Sequence, residues 1–249
     1  MKKILLFAAA AALVMVACNK NDKPNKPNEG GDEGGNEEQE YVAPITIDGN
    51  FADWAKLDAS KVASATCPDG AKYAELKTVK VYADANYVFF YCECTPNLTG
   101  YVTMDVFANA DNSAATGGYS DHFGEPDSEW LFEGAIENWD CGLYKWWGEV
   151  GANGWLWTDP SVEHSGDDNW GAILGEGSGF AASAGDIASG KFEFSILREA
   201  VELVEFADEF TLGFMLSADW AEAGFLPTAT VTDDNPNGVA PKLKVKVVK

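Results

Sequence analysis

The stretch WDCGLYKWWGEVGANGWLWTDPSVEHSGDDNW, residues 139–170, holds six of the chain's nine tryptophans: Trp139, Trp146, Trp147, Trp155, Trp157 and Trp170. Among them stand Glu149, Asn153 and Asp159. That mixture suits one chemistry in particular. A pyranose ring stacks its face of C–H groups on flat indoles, and its rim of hydroxyls pairs with carboxylates and amides. Trp146, Trp147, Trp155 and Trp157, with Glu149, Asn153 and Asp159, are therefore the candidate ligand-binding set, for a polysaccharide or oligosaccharide. Trp155 and Trp157, two apart, point one way if the segment is extended. Tyr144 and Trp170 are secondary candidates. Taken singly, each ring reads first as filling beneath a long loop. Taken together, the cluster predicts at least one indole facing a ligand.

A second set of residues could hold a metal. Asp105, Asn109, Asp111, Asn112, Asp121, Glu129 and Glu133 are oxygen donors in and around one loop, with Gly117 and Gly118 for sharp turns. Calcium takes six to eight such oxygens from flexible loops, so a structural Ca²⁺ is expected here, against the alternative of solvated Asx turns. DDNPNG (233–238) opens like an EF-hand loop, but its twelfth position is Lys244. Catalysis finds less support. A glycosidase needs two placed carboxylates, and 40 acidic residues nominate no pair. No Gly-x-Ser-x-Gly, His-Glu-x-x-His or phosphate-loop motif occurs. Met104, Met215, His122 and His164 have no spacing that selects a haem. The chain is expected to bind rather than to catalyse, with hydrolysis the minor alternative.

The chain carries 17 basic and 40 acidic residues, a net charge of −23. Nucleic acid is thereby excluded as a natural partner, since its affinity comes largely from neutralised phosphates. Lys2 and Lys3 precede an apolar run, residues 4–17, which has the length of a secretory signal rather than of a membrane span. Ala17-Cys18 after that run resembles the lipobox of bacterial lipoproteins, with Met15 where Leu is usual. Residues 1–17 are thus expected to be a signal peptide and Cys18 the lipidated residue. Residues 18–44 read as an acidic tether, because 19–40 contain no aliphatic or aromatic residue and cannot offset their ordering entropy. This front end is similar to that of surface lipoproteins of glycan-foraging Gram-negative bacteria. An outer-membrane lipoprotein, exposed at the cell surface, is the expected location, with envelope proteins as possible partners.

Residues 45–249 then form the domain. Period-two alternation runs through KTVKVYAD, YVFFYCEC, YVTMDVFAN, KFEFSI, FTLGFML and KLKVKVVK, which predicts short strands and an all-β, antiparallel β-sandwich with long loops. LREAVELVEF (197–206) is the one expected helix. Apart from Cys18, Cys67, Cys92, Cys94 and Cys141 remain. They permit two disulfides in three connectivities, or buried free thiols.

Several of these segments together resemble carbohydrate-binding modules of family 9 type, within the DOMON-like sandwich group. The residues are IDGNFADW, VKVYADANYVFFYCEC, MDVFANADNSAATGG, EWLFEG and FEFSILREAV. The resemblance implies a jelly-roll-type sandwich that binds carbohydrate without cleaving it, carried at a cell surface. The family's paired acids are spread here over Asp105, Asn109, Asp111 and Asn112. In the opening motif, Ile45 and Ile47 face inward, Asp48-Gly49 makes a turn, Asp53 caps the next turn and Trp54 plugs the sandwich end. The competing expectation is a subunit of an envelope complex with no glycan ligand. Exposed indoles beside carboxylates favour sugar; buried ones favour a protein partner.

Overall fold

The runs that alternate in the sequence are strands in the structure, a computed structural model that describes residues 41–119, 122–152, 157–158, 169–200 and 204–249. Cys18 and the signal and tether segments up to residue 40 lie outside the described residues. In chain order the strands are β1 (Ala63–Thr66), β2 (Leu76–Ala83), β3 (Tyr87–Cys94), β4 (Val102–Asn109), β5 (Trp130–Ala135), β6 (Gly142–Trp146), β7 (Trp157–Thr158) and β8 (Trp170–Leu174). They continue with β9 (Ala181–Asp186), β10 (Lys191–Leu197), β11 (Glu199–Ala200), β12 (Val204–Glu205), β13 (Glu209–Ala218), β14 (Ala221–Leu226) and β15 (Leu243–Lys246). One sheet runs β1-β2-β3-β10-β9. The larger runs β14-β13-β4-β5-β6-β8-β7, with β15 added beside β13. Pairing is antiparallel except between β7 and β8. The protein is an all-β sandwich.

The core follows from period two. Val79, Val81, Phe90, Cys92, Phe192 and Phe194 of the smaller sheet face Met104, Val106, Phe132, Leu143, Phe214 and Leu216 of the larger. Trp139 lies between them, edge-on to Phe90 and Phe194, and its indole N–H donates to the Met104 carbonyl at 2.8 Å. Cys92, Cys94 and Cys141 are buried in this layer, and with Cys67 they are free thiols rather than disulfides. Burial pushes the thiols of Cys92 and Cys141 well above the usual range, so they act as small apolar side chains.

The described residues of 197–206 do not form the expected helix. β11 and β12 pair antiparallel instead, Glu199 opposite Glu205. Leu197 completes the β10–β3 register opposite Tyr87. The Arg198 guanidinium donates to the Phe206 carbonyl through Nε at 3.1 Å and Nη2 at 2.8 Å. Phe206 packs in the core on Phe132 and Phe210. These long-range contacts outweigh local helix propensity, which is a weak preference.

The opening motif is held by a residue 145 positions away in sequence. Glu193 on β10 is fully buried. Its Oε1 accepts the backbone N–H groups of Asp48 (3.0 Å) and Gly49 (2.7 Å), and its Oε2 accepts the Trp54 indole N–H at 3.2 Å. Gly49 takes φ +78°, the left-handed conformation that suits glycine in this turn. Trp54 then packs with Ile45, Tyr82, Phe89 and Tyr91 over the outer face of the smaller sheet. Asn50 caps the 3₁₀ turn Phe51–Lys56. Asp53, expected in that role, accepts the Thr46 N–H and pairs with Lys56. Replacing Glu193 by Ala strands the buried Trp54 indole donor and two part-buried backbone donors, so urea unfolding should show a loss of about 2–3 kcal/mol. Unchanged stability would mean the clamp carries no load.

Candidate functional site

β4 is buried along both faces. Val102, Met104, Val106 and Ala108 enter the sandwich core. Thr103, Asp105, Phe107 and Asn109 point to the other side by alternation. That outer face of the larger sheet has two halves. Over one half, Phe107, Leu131, Trp146, Trp170, Met215 and Phe225 pack beneath Tyr119 and Phe123. Phe107 stacks on Tyr119 at 4.6 Å, and Trp146 meets Trp170 edge-on at 5.1 Å. The other half is polar and carries the candidate site.

At its centre Asp105 faces Glu133 across the β4–β5 ladder. Side chains directly opposite each other in such a ladder are about 5 Å apart at Cβ. Asp105 is 2% exposed, and its Oδ1 has no hydrogen-bond partner. Glu133 is half-buried. Burial and the Glu133 charge push the Asp105 carboxyl well above the usual range, while burial and Glu176 push Glu133 up to about 7. Tyr144 lies back over the bare Cα of Gly142, where an added Cβ would come within 3.2 Å of its hydroxyl. Burial, Glu133, Glu176 and Asp105 push its phenol up to about 12. The charges acting on this group are negative. Among the described residues, no basic side chain forms an ion pair with Asp105, Glu133 or Glu176.

An aromatic pair stands at the edge of this polar half. β13 and β14 are joined through Asp219 and Trp220, at φ +49° and +66°. Both are left-handed, as in the tight hairpin turns that favour Asn-Gly, and a tryptophan there is strained. Asp219 fixes the turn to the chain before β4. Its Oδ1 accepts the Tyr101 N–H at 2.8 Å, and its own N–H donates to the Tyr101 carbonyl at 2.8 Å. Gly100 makes the room, since a Cβ there would lie 2.4 Å from Asp219 Oδ2. Trp220 is 71% exposed and Tyr101 44%. Their ring centroids are 5.4 Å apart at 48°. Burial with Glu176 and Glu133 raises the Tyr101 phenol, which places it in the field of the same carboxylates.

No protein-family model, curated protein or solved structure matches the chain.

The expected sugar platform is divided. Trp146 is buried, and its indole N–H donates to the Glu149 carbonyl at 3.1 Å. Trp147 is 44% exposed, with its indole nitrogen against the bare Cα of Gly171. Glu149 is exposed. Asn153, Trp155 and Asp159 lie outside the described residues, as does His164, and Trp157 is described only through its backbone in β7. Tyr101, Glu176 and Trp220 were not anticipated. The signal that could have found Trp220 is an Asp-Trp pair lodged between two alternating strands, where a turn is required.

The expected metal ligands also fall in two places. Asp105 and Asn109 are four residues apart on one strand, about 13 Å, so no single ion takes both. Asp121 lies outside the described residues. Most of the others are hydrogen-bonded within the loop, with Glu129 Oε2 left without a partner. Asn109 Nδ2 donates to Asp127 Oδ2 at 2.7 Å and to the Ser113 carbonyl. Asp111 accepts from the Ser113 N–H and the Thr116 hydroxyl. Asn112 is exposed at φ +56°. Glu129 Oε1 accepts the N–H groups of Ala110 and Asp111, and burial pushes that carboxyl up to about 7. Lys242, buried, pairs with Asp127 and donates to Ser128 Oγ at 2.7 Å. Its ammonium thus stands beside Asp127 and in the field of Glu129 and Glu125. In 233–238, Asn235 is used by Val239 through both its amide groups. Among the described residues, no group of three or more His, Cys, Asp or Glu is arranged to hold a metal ion.

Two measurements follow. Lys242→Met leaves Asp127 buried without its partner and should cost about 3 kcal/mol in urea unfolding; an unchanged midpoint would show the pair to be dispensable. Glu133 binds its proton more tightly folded than unfolded, so its contribution is full below about pH 4.5 and is lost as pH rises through about 7. Between pH 5 and 8 it should remove up to about 3 kcal/mol of stability. Glu133→Gln should flatten that slope; an unaltered slope would contradict the raised value.

Proposed function

We propose that this protein binds carbohydrate without cleaving it, through the open part of the larger sheet's outer face. The observation that carries this is the Trp220–Tyr101 pair, two exposed rings fixed by Asp219 beside a carboxylate-rich surface. Exposed aromatic area held rigid by its own backbone stacks on a sugar at low entropy cost. Strain in a bulky turn residue, offset by hydrogen bonds from the neighbouring segment, is the kind of feature found at binding sites. Trp147, backed by Gly171, is a second exposed indole for a longer ligand. In this reading Cys18 carries the lipid anchor and the acidic segment after it holds the domain off the outer membrane, facing glycan. Calcium enters as an ion to add and to remove.

The test is a glycan panel, read with the purified protein in calcium and in chelator. Trp220→Ala and Tyr101→Ala should each weaken binding about tenfold, in line with about 1 kcal/mol or more for a stacked ring. Trp147→Ala reports whether the site extends. Binding to no glycan, by a protein with an intact unfolding transition, would overturn the proposal and favour a protein partner for the same rings. Equal binding in chelator would remove calcium from the account.

A further inference from the structure

The acidic residues of the polar half pose a problem of charge. Asp105 is almost wholly out of water, and one of its oxygens has no donor. An unsatisfied buried carboxyl is costly, and native structures rarely keep one without use. Other buried carboxyls are answered at least in part, Glu129 through Oε1 alone, with its Oε2 left without a partner. Glu193 takes three N–H donors, and Asp127 takes the Lys242 ammonium. Around Asp105 the neighbours are Glu133 opposite on β5, Met215 opposite on β13, and Tyr144 over the adjoining Gly142, with Glu176 acting from the β8–β9 loop. The Glu176 loop is itself pinned, because Gly177 and Gly179 donate to Asp140. The missing partner is therefore a donor, and in this field a positively charged one.

The geometry limits what that donor can be. No three of the acids are arranged to share a metal ion among the described residues. An ammonium needs less. It presents three N–H donors on one nitrogen and can bridge two carboxylates by hydrogen bonds. It also gains from the faces of neighbouring aromatic rings. We infer that the Asp105–Glu133 pair is the pocket for a primary ammonium group, and that the ligand is a glycan carrying unacetylated 2-amino sugars. This rests on the carbohydrate proposal above and narrows it. One sugar ring stacks at Trp220 and Tyr101. The ammonium of a ring further along the same oligosaccharide enters at Glu133, which is half-buried, with Asp105 behind it. Acetylation removes the charge and adds bulk at the same atom, so an acetamido sugar loses this contact.

Three oligosaccharides with one backbone isolate the effect: β-1,4-linked tetramers of glucose, glucosamine and N-acetylglucosamine. They differ only at carbon 2. Titration calorimetry at pH 7, where Glu133 is about half ionised and a share of the amines is charged, should give the glucosamine tetramer at least tenfold tighter binding than the other two. Glu133→Gln should bring it to within about twofold of the glucose tetramer, and Asp105→Asn should act in the same direction. Near-ultraviolet circular dichroism shows that each variant is folded. Trp220→Ala should weaken any tetramer that binds. Equal affinity for the three sugars, or a preference for the amine that survives Glu133→Gln, would overturn the ammonium pocket and leave carbohydrate binding standing. Binding of none of the tetramers would also overturn it. The wider carbohydrate proposal falls only if the full glycan panel is blank as well.

Discussion

A strand buried on both sides governs this structure. β4 supplies one face to the sandwich core and the other to a second layer of rings and polar groups. Every outward residue of β4 must therefore find company away from water. Phe107 finds it in Tyr119, Phe123 and Trp170. Asn109 finds it in the loop it closes, through Ser113 and Asp127. Asp105, between them and the open edge, faces another acid, and its Oδ1 has no hydrogen-bond partner. The candidate site is the place where the sheet's second layer is incomplete.

Buried carboxylates mark three solutions to one physical demand. Glu193 is saturated by neutral N–H donors that bring the chain's opening turn onto β10. Asp127 is neutralised by an internal lysine, which gives the acidic loop its own counter-charge. Among the described residues, Asp105 and Glu133 form no ion pair, and Asp105 Oδ1 has no hydrogen-bond partner. In a chain of net charge −23, basic residues are scarce, and their placement is correspondingly informative. Lys242 was spent in the interior rather than at the surface.

Much of the fold was legible because period two is a local property. The hairpin of β2 and β3, and the strands β4, β10, β13 and β15, lie where alternation placed them, and Trp54 is buried as its motif suggested. What was not legible depends on distance along the chain. Residues 197–206 read as a helix until the grip of Arg198 on Phe206 is known. Trp146 and Trp147 are neighbours of identical type, yet one lies in the second layer and the other on the surface. No local pattern separates them, since the difference comes from Trp170 on one side and Gly171 on the other. The acids of 105–133 looked like one set because sequence spacing does not show that a strand carries Asp105 and Asn109 apart.

The Glu193 clamp has a mechanical side. It grips the chain at Asp48 and Gly49, before the first strand begins. β10, which bears it, is paired on both flanks, by β3 and β9. β1 lies at the margin of the same sheet with a single neighbour. Tension arriving along the residues ahead of Ile45 would thus be taken up by an interior strand, not by the one most easily peeled away. The start of the domain is fastened to the middle of a sheet.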